Sequence, residues 1–246
     1  MSKPRLLDLF CGAGGCSVGY ARAGFEVIGI DIEPHPEYPF EFWQADALEV
    51  LRDLPRAFHE LDAIHASPPC QVFSSMGVMP NARQHEDLLT PCRELLREIG
   101  IPYVIENVVG APIEVRPPSM FEDHMGVMLC GSMFNLNDGT YELRRHRLFE
   151  TSFPVEQPLC QHHLPVVGFY GDHARTRQRT VAGHRDRGGD ITGAAEKLRL
   201  ARDLMGIDWM KWHDVSQAIP PAYTEFIGEQ LLSLVGSVPL TEGGEG

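Results

Sequence analysis

The 246-residue sequence is first narrowed by what it lacks. No stretch approaches 18 uninterrupted apolar residues, so no membrane span is expected. There is no internal repeat and no low-complexity tract. Apolar residues make up 43% and charged residues 22%, which excludes a collagen, a coiled coil and a wholly disordered chain. Asp8 stands where a signal peptide needs apolar residues, so an uncleaved start in the cytosol is expected. The six cysteines (Cys11, Cys16, Cys70, Cys92, Cys130 and Cys160) are scattered, without the density of a disulfide framework, so free thiols are expected.

Positive charge is also scarce. The formal net charge of −13 argues, taken whole, against a binder of phosphate backbones. The distribution is uneven, however. Between residues 144 and 187 lie eight arginines, four acids and five histidines, whereas the rest of the chain holds 13 basic and 30 acidic residues. A local basic patch inside an acidic protein fits either a solvated loop or a nucleic-acid contact.

This length supports one large domain with a small insertion, and a chain of this size buries roughly 70–75% of its unfolded surface. Short apolar runs at 4–10, 25–30, 61–66 and 102–105 read as buried strands. Helical spacing is present at 17–23, 47–58, 85–99, 193–205 and 223–234, with Gly24 and Gly100 as stops. Strands alternating with helices predict an α/β fold, a mostly parallel Rossmann-like sheet covered by helices on both faces. Periodicity fails from about 150 to 190, which reads as an irregular insertion, and the Gly- and Glu-rich tail 239–246 reads as frayed.

In such a sheet, ligands sit at the carboxyl ends of the strands. The first strand ends in Asp8-Leu-Phe-Cys-Gly-Ala-Gly-Gly15. Gly12 and Gly14 fit the first two glycines of the dinucleotide fingerprint, but the third position is Ser17. Asp31, ending the second strand, is placed to hold ribose hydroxyls. A ribose carboxylate without the pyrophosphate glycine suggests a nucleoside without a pyrophosphate, of which S-adenosylmethionine is the commonest. A flavin, a nicotinamide and a structural turn remain alternatives. The third strand ends in Ser67-Pro-Pro-Cys-Gln71, which fixes Cys70 on a stiff loop and favours a nucleophile over a packing cysteine. Such a thiolate needs a lowered pKa or a nearby proton acceptor. Glu106, at the end of the fourth strand, is a candidate acid/base partner.

Together these residues resemble the DNA (cytosine-5) methyltransferase family. The resemblance rests on Asp8-Leu-Phe-Cys-Gly-Ala-Gly, Pro69-Cys70-Gln71-Val-Phe73-Ser74, Glu106-Asn107-Val108 and Arg145-His-Arg147, in that order. It covers about residues 4–149 and again 196–230. It implies a catalytic methyltransferase domain over 1–150 and 190–238, with a small target-recognition region at 151–189. It further implies S-adenosylmethionine as cofactor and double-stranded DNA as partner. Phe10, Gly12, Gly14 and Pro69 would line the cofactor pocket, Asp31 would hold the ribose, Ile32 would pack on the adenine and Asp46 would bond its amino group. Cys70 would attack carbon 6 of a flipped cytosine, with Gln71 beside it, and Glu106 would bond N3 and the exocyclic amine. Arg145 and Arg147 would orient the base, and Phe73 and Ser74 would meet DNA. The helix at 198–208, with Arg202, would support the recognition region, and 217–221 would complete the cofactor pocket.

Two positions depart from the family pattern. Leu143 replaces a glutamine and Gln217 an asparagine, which puts the cofactor contact at Gln217 in doubt. The recognition region is short, which predicts a target of two to four base pairs read by Arg175, Arg177 and Arg179, or phosphate contact by the same arginines. The compact size is similar to solitary methylases of phages or mobile elements, which implies the cytosol of a bacterium or infected host. Their roles would be shielding DNA from restriction or preparing 5-methylcytosine for further modification. A tRNA cytosine-5 methyltransferase, a catalytically silent DNA-binding module and a small-molecule methyltransferase are the competing readings. No obligate protein partner is indicated. Cys160, His162 and His163, with Cys130, His173 or His184, match no common zinc spacing, so no metal is expected.

Overall fold

The computed structural model describes residues 2–54, 60–70, 73, 86–115, 125–177 and 188–236. Gln71, Ser74, Arg179 and His184 lie outside the described residues, as do 55–58 and 85 of the expected helices and the tail 239–246.

The apolar runs form the centre of a seven-stranded sheet. Its strands are β1 (Arg5–Leu9), β2 (Glu26–Asp31), β3 (Glu41–Gln44), β4 (Ala63–Ala66), β5 (Tyr103–Val108), β6 (Met125–Leu129) and β8 (Arg147–Thr151). The order is β3-β2-β1-β4-β5-β8-β6. Pairs from β3 to β5 are parallel, whereas β8 runs antiparallel to both β5 and β6. The chain winds outward from β1 in one direction to β3 and resumes on the other side at β4. The crevice between the carboxyl ends of β1 and β4 is therefore a topological switch point.

Alternation along each strand sends side chains to two cores. Leu7, Leu9, Ile28, Ile30 and Ile64 pack on one face, under α2 (Ala47–Arg52) and α3 (Leu89–Ile99). Leu6, Val27, Ala63, Val104 and Phe149 pack on the other face. There they meet Tyr20 of α1 (Gly15–Ala23) and Tyr223, Ile227 and Leu231 of α6 (Pro221–Val235). Helices α1 and α6 pack closely because Gly19 has no side chain. A Cβ there would lie 2.1 Å from Thr224 Oγ1 and 2.2 Å from the Pro221 carbonyl oxygen. Asp46 starts α2 by accepting the amides of Leu48 and Glu49 at 2.8 and 3.0 Å.

The segment expected to be irregular has regular structure in part of its described residues. It contains β9 (Val166–Tyr170) and β10 (His173–Arg177), paired antiparallel, and β9 also pairs with β7 (Glu142–Leu143). This second sheet buries Leu143, Val167, Phe169 and Ala174 against Leu200, Leu204 and Met205 of α4 (Ala194–Met205) and Val215 of α5 (Trp212–Gln217). Val166 and Val167 precede Gly168 in a five-residue strand, too short a pattern to stand out among the surrounding Pro, His and Arg. The small sheet also reaches back to Glu142, while Thr151, Phe153 and Val155 are buried with the main body. Among the described residues, no helix is long and apolar enough to cross a membrane.

Candidate functional site

The carboxyl ends of β1, β2, β4 and β5 surround a cavity of about 650 Å³, within the usual range for a small-molecule site. Its walls bring together residues far apart in sequence. Phe10 and Gly12 come from the β1 turn, Asp31 and Ile32 from β2, and Pro69 and Cys70 from the β4 loop. Glu106 enters from β5 and Arg147 from β8, with Asp46 and Gln217 at the margins.

The glycine turn is shaped by its backbone. Phe10 and Gly12 have φ values of +57° and +51°, in the left-handed region, which is uncommon for a phenylalanine. The turn lets the Gly12 amide donate to Asp31 Oδ2 at 2.9 Å, while the Glu33 amide donates to Oδ1 at 3.0 Å. The carboxylate is thus fixed at the cavity edge before any ligand arrives. Ile32 beside it is 62% exposed, an apolar side chain turned to open space in the cavity wall. Gln217 Nε2 lies 3.0 Å from His213 Nε2, and its neighbours Ala218 and Ile219 also line the cavity. Gly14 caps α1, and its amide bonds the Cys11 carbonyl at 3.1 Å.

The reactive end is distinct. Cys70 is half-buried, whereas Cys11, Cys16, Cys92 and Cys130 are buried. Burial pushes the Cys11 and Cys16 thiols up, with Asp8 adding to the effect, which leaves them inert. Cys70 is also raised by burial and by Glu106, but Arg147 and Arg145 oppose the rise. Burial likewise raises Glu106 above the usual carboxylate range, against the pull of Arg147 and Arg145. Arg147 Nε lies 3.1 Å from Glu106 Oε1, with both side chains largely buried. That oxygen accepts no hydrogen bond of good geometry from the described residues. A buried, unsatisfied carboxylate oxygen in a cavity wall is a binding position for an incoming donor.

Several supports were not visible in the sequence. Asn107 Nδ2 donates to the Pro68 carbonyl at 3.0 Å, tying the Pro-Pro-Cys loop to β5. Asp8 is fully buried behind the glycine turn and accepts a short hydrogen bond from Ser17, itself bonded by Tyr38 at 2.7 Å. Burial lifts the Asp8 carboxyl to about 7. Met210, His213 and Asp214 also reach the cavity.

Arg145 and Arg147 part company. Arg145 is buried and does not line the cavity. It donates to the carbonyls of Phe169 at 3.2 Å and Ser216 at 2.9 Å, clamping β9 to α5. Of the two arginines only Arg147 lines the cavity. Arg175 and Arg177 point from the exposed face of β10, on the opposite side from buried Ala174. Arg202 donates to the Met210 carbonyl at 2.9 and 2.6 Å, bracing α4 against the segment that leads to the cavity. Phe73 packs partly buried against the first core.

The sheet order, the switch-point cavity and the Cys-Glu-Arg end define a protein of the Rossmann-like methyltransferase fold class. A family model described as C-5 cytosine-specific DNA methylase matches residues 4–111. Similar relatives include the type II methyltransferase M.AgeI of Thalassovita gelatinovora, 30% identical over 43% of this chain and 28% of its own length. Type II methyltransferase M.HgiDI of Herpetosiphon aurantiacus is 27% identical over 71% of this chain and 66% of its own. The chain thus spans less than two thirds of these relatives. Among solved structures, Schizosaccharomyces pombe Dnmt2 methyltransferase aligns with a TM-score of 0.56 at 14% identity, covering 95% of this chain and 99% of that one. A prophage-encoded E. coli protein, described as a DNA modification methyltransferase, aligns at 0.57 and 16%, covering 95% and 100%. At these identities the structures speak to the fold.

Proposed function

We propose that the chain transfers a methyl group from S-adenosylmethionine to carbon 5 of cytosine in double-stranded DNA, through an adduct between Cys70 and carbon 6 of a flipped base. The observation that carries this reading is the meeting of Cys70, Glu106 and Arg147 in the same cavity as the Asp31 cradle. The cradle suits the cofactor. Asp31 is pre-aimed for a ribose, Ile32 offers an apolar face to an adenine, and Asp46 and Gln217 stand at the rim. When bound there, S-adenosylmethionine supplies an electrophilic methyl group.

The chain's own residues make carbon 5 able to accept it. Carbon 5 of cytosine is a weak nucleophile. Addition of the Cys70 thiolate to carbon 6 forms a C–S bond and moves the ring π electrons toward carbon 5. The Glu106 carboxyl, raised by burial, takes up a proton as it meets N3 and shares it there, while its other oxygen accepts from the exocyclic amine. Arg147, paired with Glu106, keeps the carboxyl in position. After methylation, loss of the carbon-5 proton and expulsion of the thiolate restore the aromatic ring. A base inside a stacked duplex cannot reach Cys70, so it must be turned out. Arg175 and Arg177 are the positive groups offered to the DNA.

The test is to incubate protein, unmethylated DNA and S-adenosylmethionine, digest to nucleosides and analyse by mass spectrometry, with Cys70→Ala alongside. 5-Methyldeoxycytidine from wild type alone supports the proposal. Product from tRNA but not DNA would assign the substrate to RNA, and cofactor binding with no product on either acceptor would leave a silent binding module.

A further inference from the structure

Four side chains that the linear spacing kept apart meet beside the site. Cys130 follows β6, His146 lies between Arg145 and Arg147, and Cys160 and His162 lie on the strand-free segment before β9. One ligand atom from each, two sulfurs and two imidazole nitrogens, falls within 4.8 Å of all the others. His163 and His173 are not part of the cluster, and His173 pairs with Asp190 at 2.7 Å.

We propose that these four residues form a structural zinc site that pins the insertion to the catalytic sheet. Three of the sulfur–nitrogen distances match what the ion requires. Zinc–sulfur bonds of about 2.3 Å and zinc–nitrogen bonds of about 2.0–2.1 Å at the tetrahedral angle demand S···N edges of about 3.6 Å. The edges are 3.6 Å from Cys130 Sγ to His162 Nε2, 3.5 Å from Cys160 Sγ to His146 Nε2, and 3.5 Å from Cys160 Sγ to His162 Nε2.

The surroundings are those of a metal site. The far nitrogen of His162, Nδ1, lies 2.5 Å from Glu142 Oε1, and the other Glu142 oxygen accepts the His163 amide at 3.1 Å. A buried carboxylate on the outer nitrogen of a histidine fixes the ring and leaves Nε2 bare for the ion. The backbone amides of Ser132 and Arg145 face the Cys130 sulfur. Two thiolates and two neutral imidazoles give the borderline-soft tetrahedral set that selects zinc among common divalent ions. Binding releases the two thiol protons and leaves the cluster neutral overall. All four positions are protein ligands, so the site is closed to substrate. Cys130 is buried and His162 is at the surface, which leaves a path of entry.

The site has a clear consequence for the fold. His146 would hold the turn whose neighbours are the Arg145 clamp and the Arg147 partner of Glu106. Cys160 and His162 would anchor the chain entering β9, the strand that supports Arg175 and Arg177 through β10. The inference does not depend on the proposed reaction, and its test reads metal rather than methylation.

The full chain, purified without a polyhistidine tag or chelator and dialysed after exposure to zinc, is expected to hold one zinc per chain by plasma mass spectrometry. Cys160→Ser and His162→Gln should each lose most of it, and His173→Gln should keep it. As a second readout that needs no variant, cobalt added to the metal-stripped protein should give the visible spectrum of a tetrahedral thiolate complex. Wild-type protein that is folded by circular dichroism yet keeps less than a tenth of an equivalent overturns the proposal. So does a full equivalent retained by Cys160→Ser, or an octahedral cobalt spectrum.

Discussion

Arg147→Ala is the sharpest probe of the site's electrostatics. Arg147 and Glu106 have side chains only 13% and 8% exposed, and Arg147 Nε lies 3.1 Å from the carboxylate. Breaking a buried pair from one side strands a charge, typically at a cost of about 3–5 kcal/mol. Glu106 can escape by taking a proton, and its folded pKa is already above 4.5. Loss of Arg147 removes its main opposing charge, so the folded pKa rises further. A carboxyl whose folded pKa is raised loses stability as pH climbs from its unfolded value toward its folded one. The variant's deficit should therefore be about 1–2 kcal/mol at pH 5, mainly lost packing and the bond to the His146 carbonyl, and about 3–5 kcal/mol at pH 8. Glu106→Gln in the same background should recover most of the pH 8 deficit. Urea denaturation of wild type, both single variants and the double variant at each pH gives the cycle. A deficit below about 1 kcal/mol at pH 8, or one independent of pH, would mean that the pair behaves as a surface contact and the buried-pair reasoning is wrong.

The same reasoning extends to Cys70. Glu106 raises its thiol, so Glu106→Gln should move the pH midpoint of Cys70 alkylation downward, and Arg147→Ala should move it upward; peptide mapping by mass spectrometry reads both. Asp8 is held near 7 by burial, so wild-type stability should fall as pH rises from about 4 to 7 through this group, and Asp8→Asn should flatten that part of a melting-temperature profile. An unchanged slope would show that Asp8 is ionised in the fold at low pH. Arg175→Ala and Arg177→Ala should either relax the target sequence, at about 1–3 kcal/mol per lost base contact, or weaken binding evenly with a shallower salt dependence. Methylation mapping beside binding at two salt concentrations separates them, and no change in either would remove β10 from the DNA interface.

Much of the architecture was legible because parallel strands buried on both faces read as continuous apolar runs. Leu6, Leu7 and Leu9, then Val27, Ile28 and Ile30, announce β1 and β2 without help from tertiary context. The glycine turn, Asp31, Cys70 and Glu106 were legible because strand ends in such a sheet converge. The edge strand β3, with Glu41 and Trp43 exposed, has no apolar run to betray it. The β7-β9-β10 sheet was hidden because its strands are two to five residues long and gain their burial from α4, roughly 30 residues further along the chain. Arg145 carries the same motif position as a base-orienting residue, yet its partners are two carbonyls, which no side-chain pattern encodes. The Cys130–His146–Cys160–His162 cluster was missed for a related reason. Spacing rules assume that ligands come in short pairs on one turn, whereas here the main sheet and the insertion each bring two.

The central claim is that Cys70 bonds carbon 6 of a flipped cytosine, and covalent trapping tests it most directly. Duplex DNA carrying 5-fluorodeoxycytidine at the target, incubated with protein and S-adenosylmethionine, cannot lose fluorine as it would a proton, so the adduct should persist through denaturing electrophoresis. The account predicts one protein–DNA adduct, mapped by peptide mass spectrometry to Cys70 and absent from Cys70→Ser. An adduct mapped to any other residue, or trapping of Cys70→Ser at the wild-type level, would contradict it.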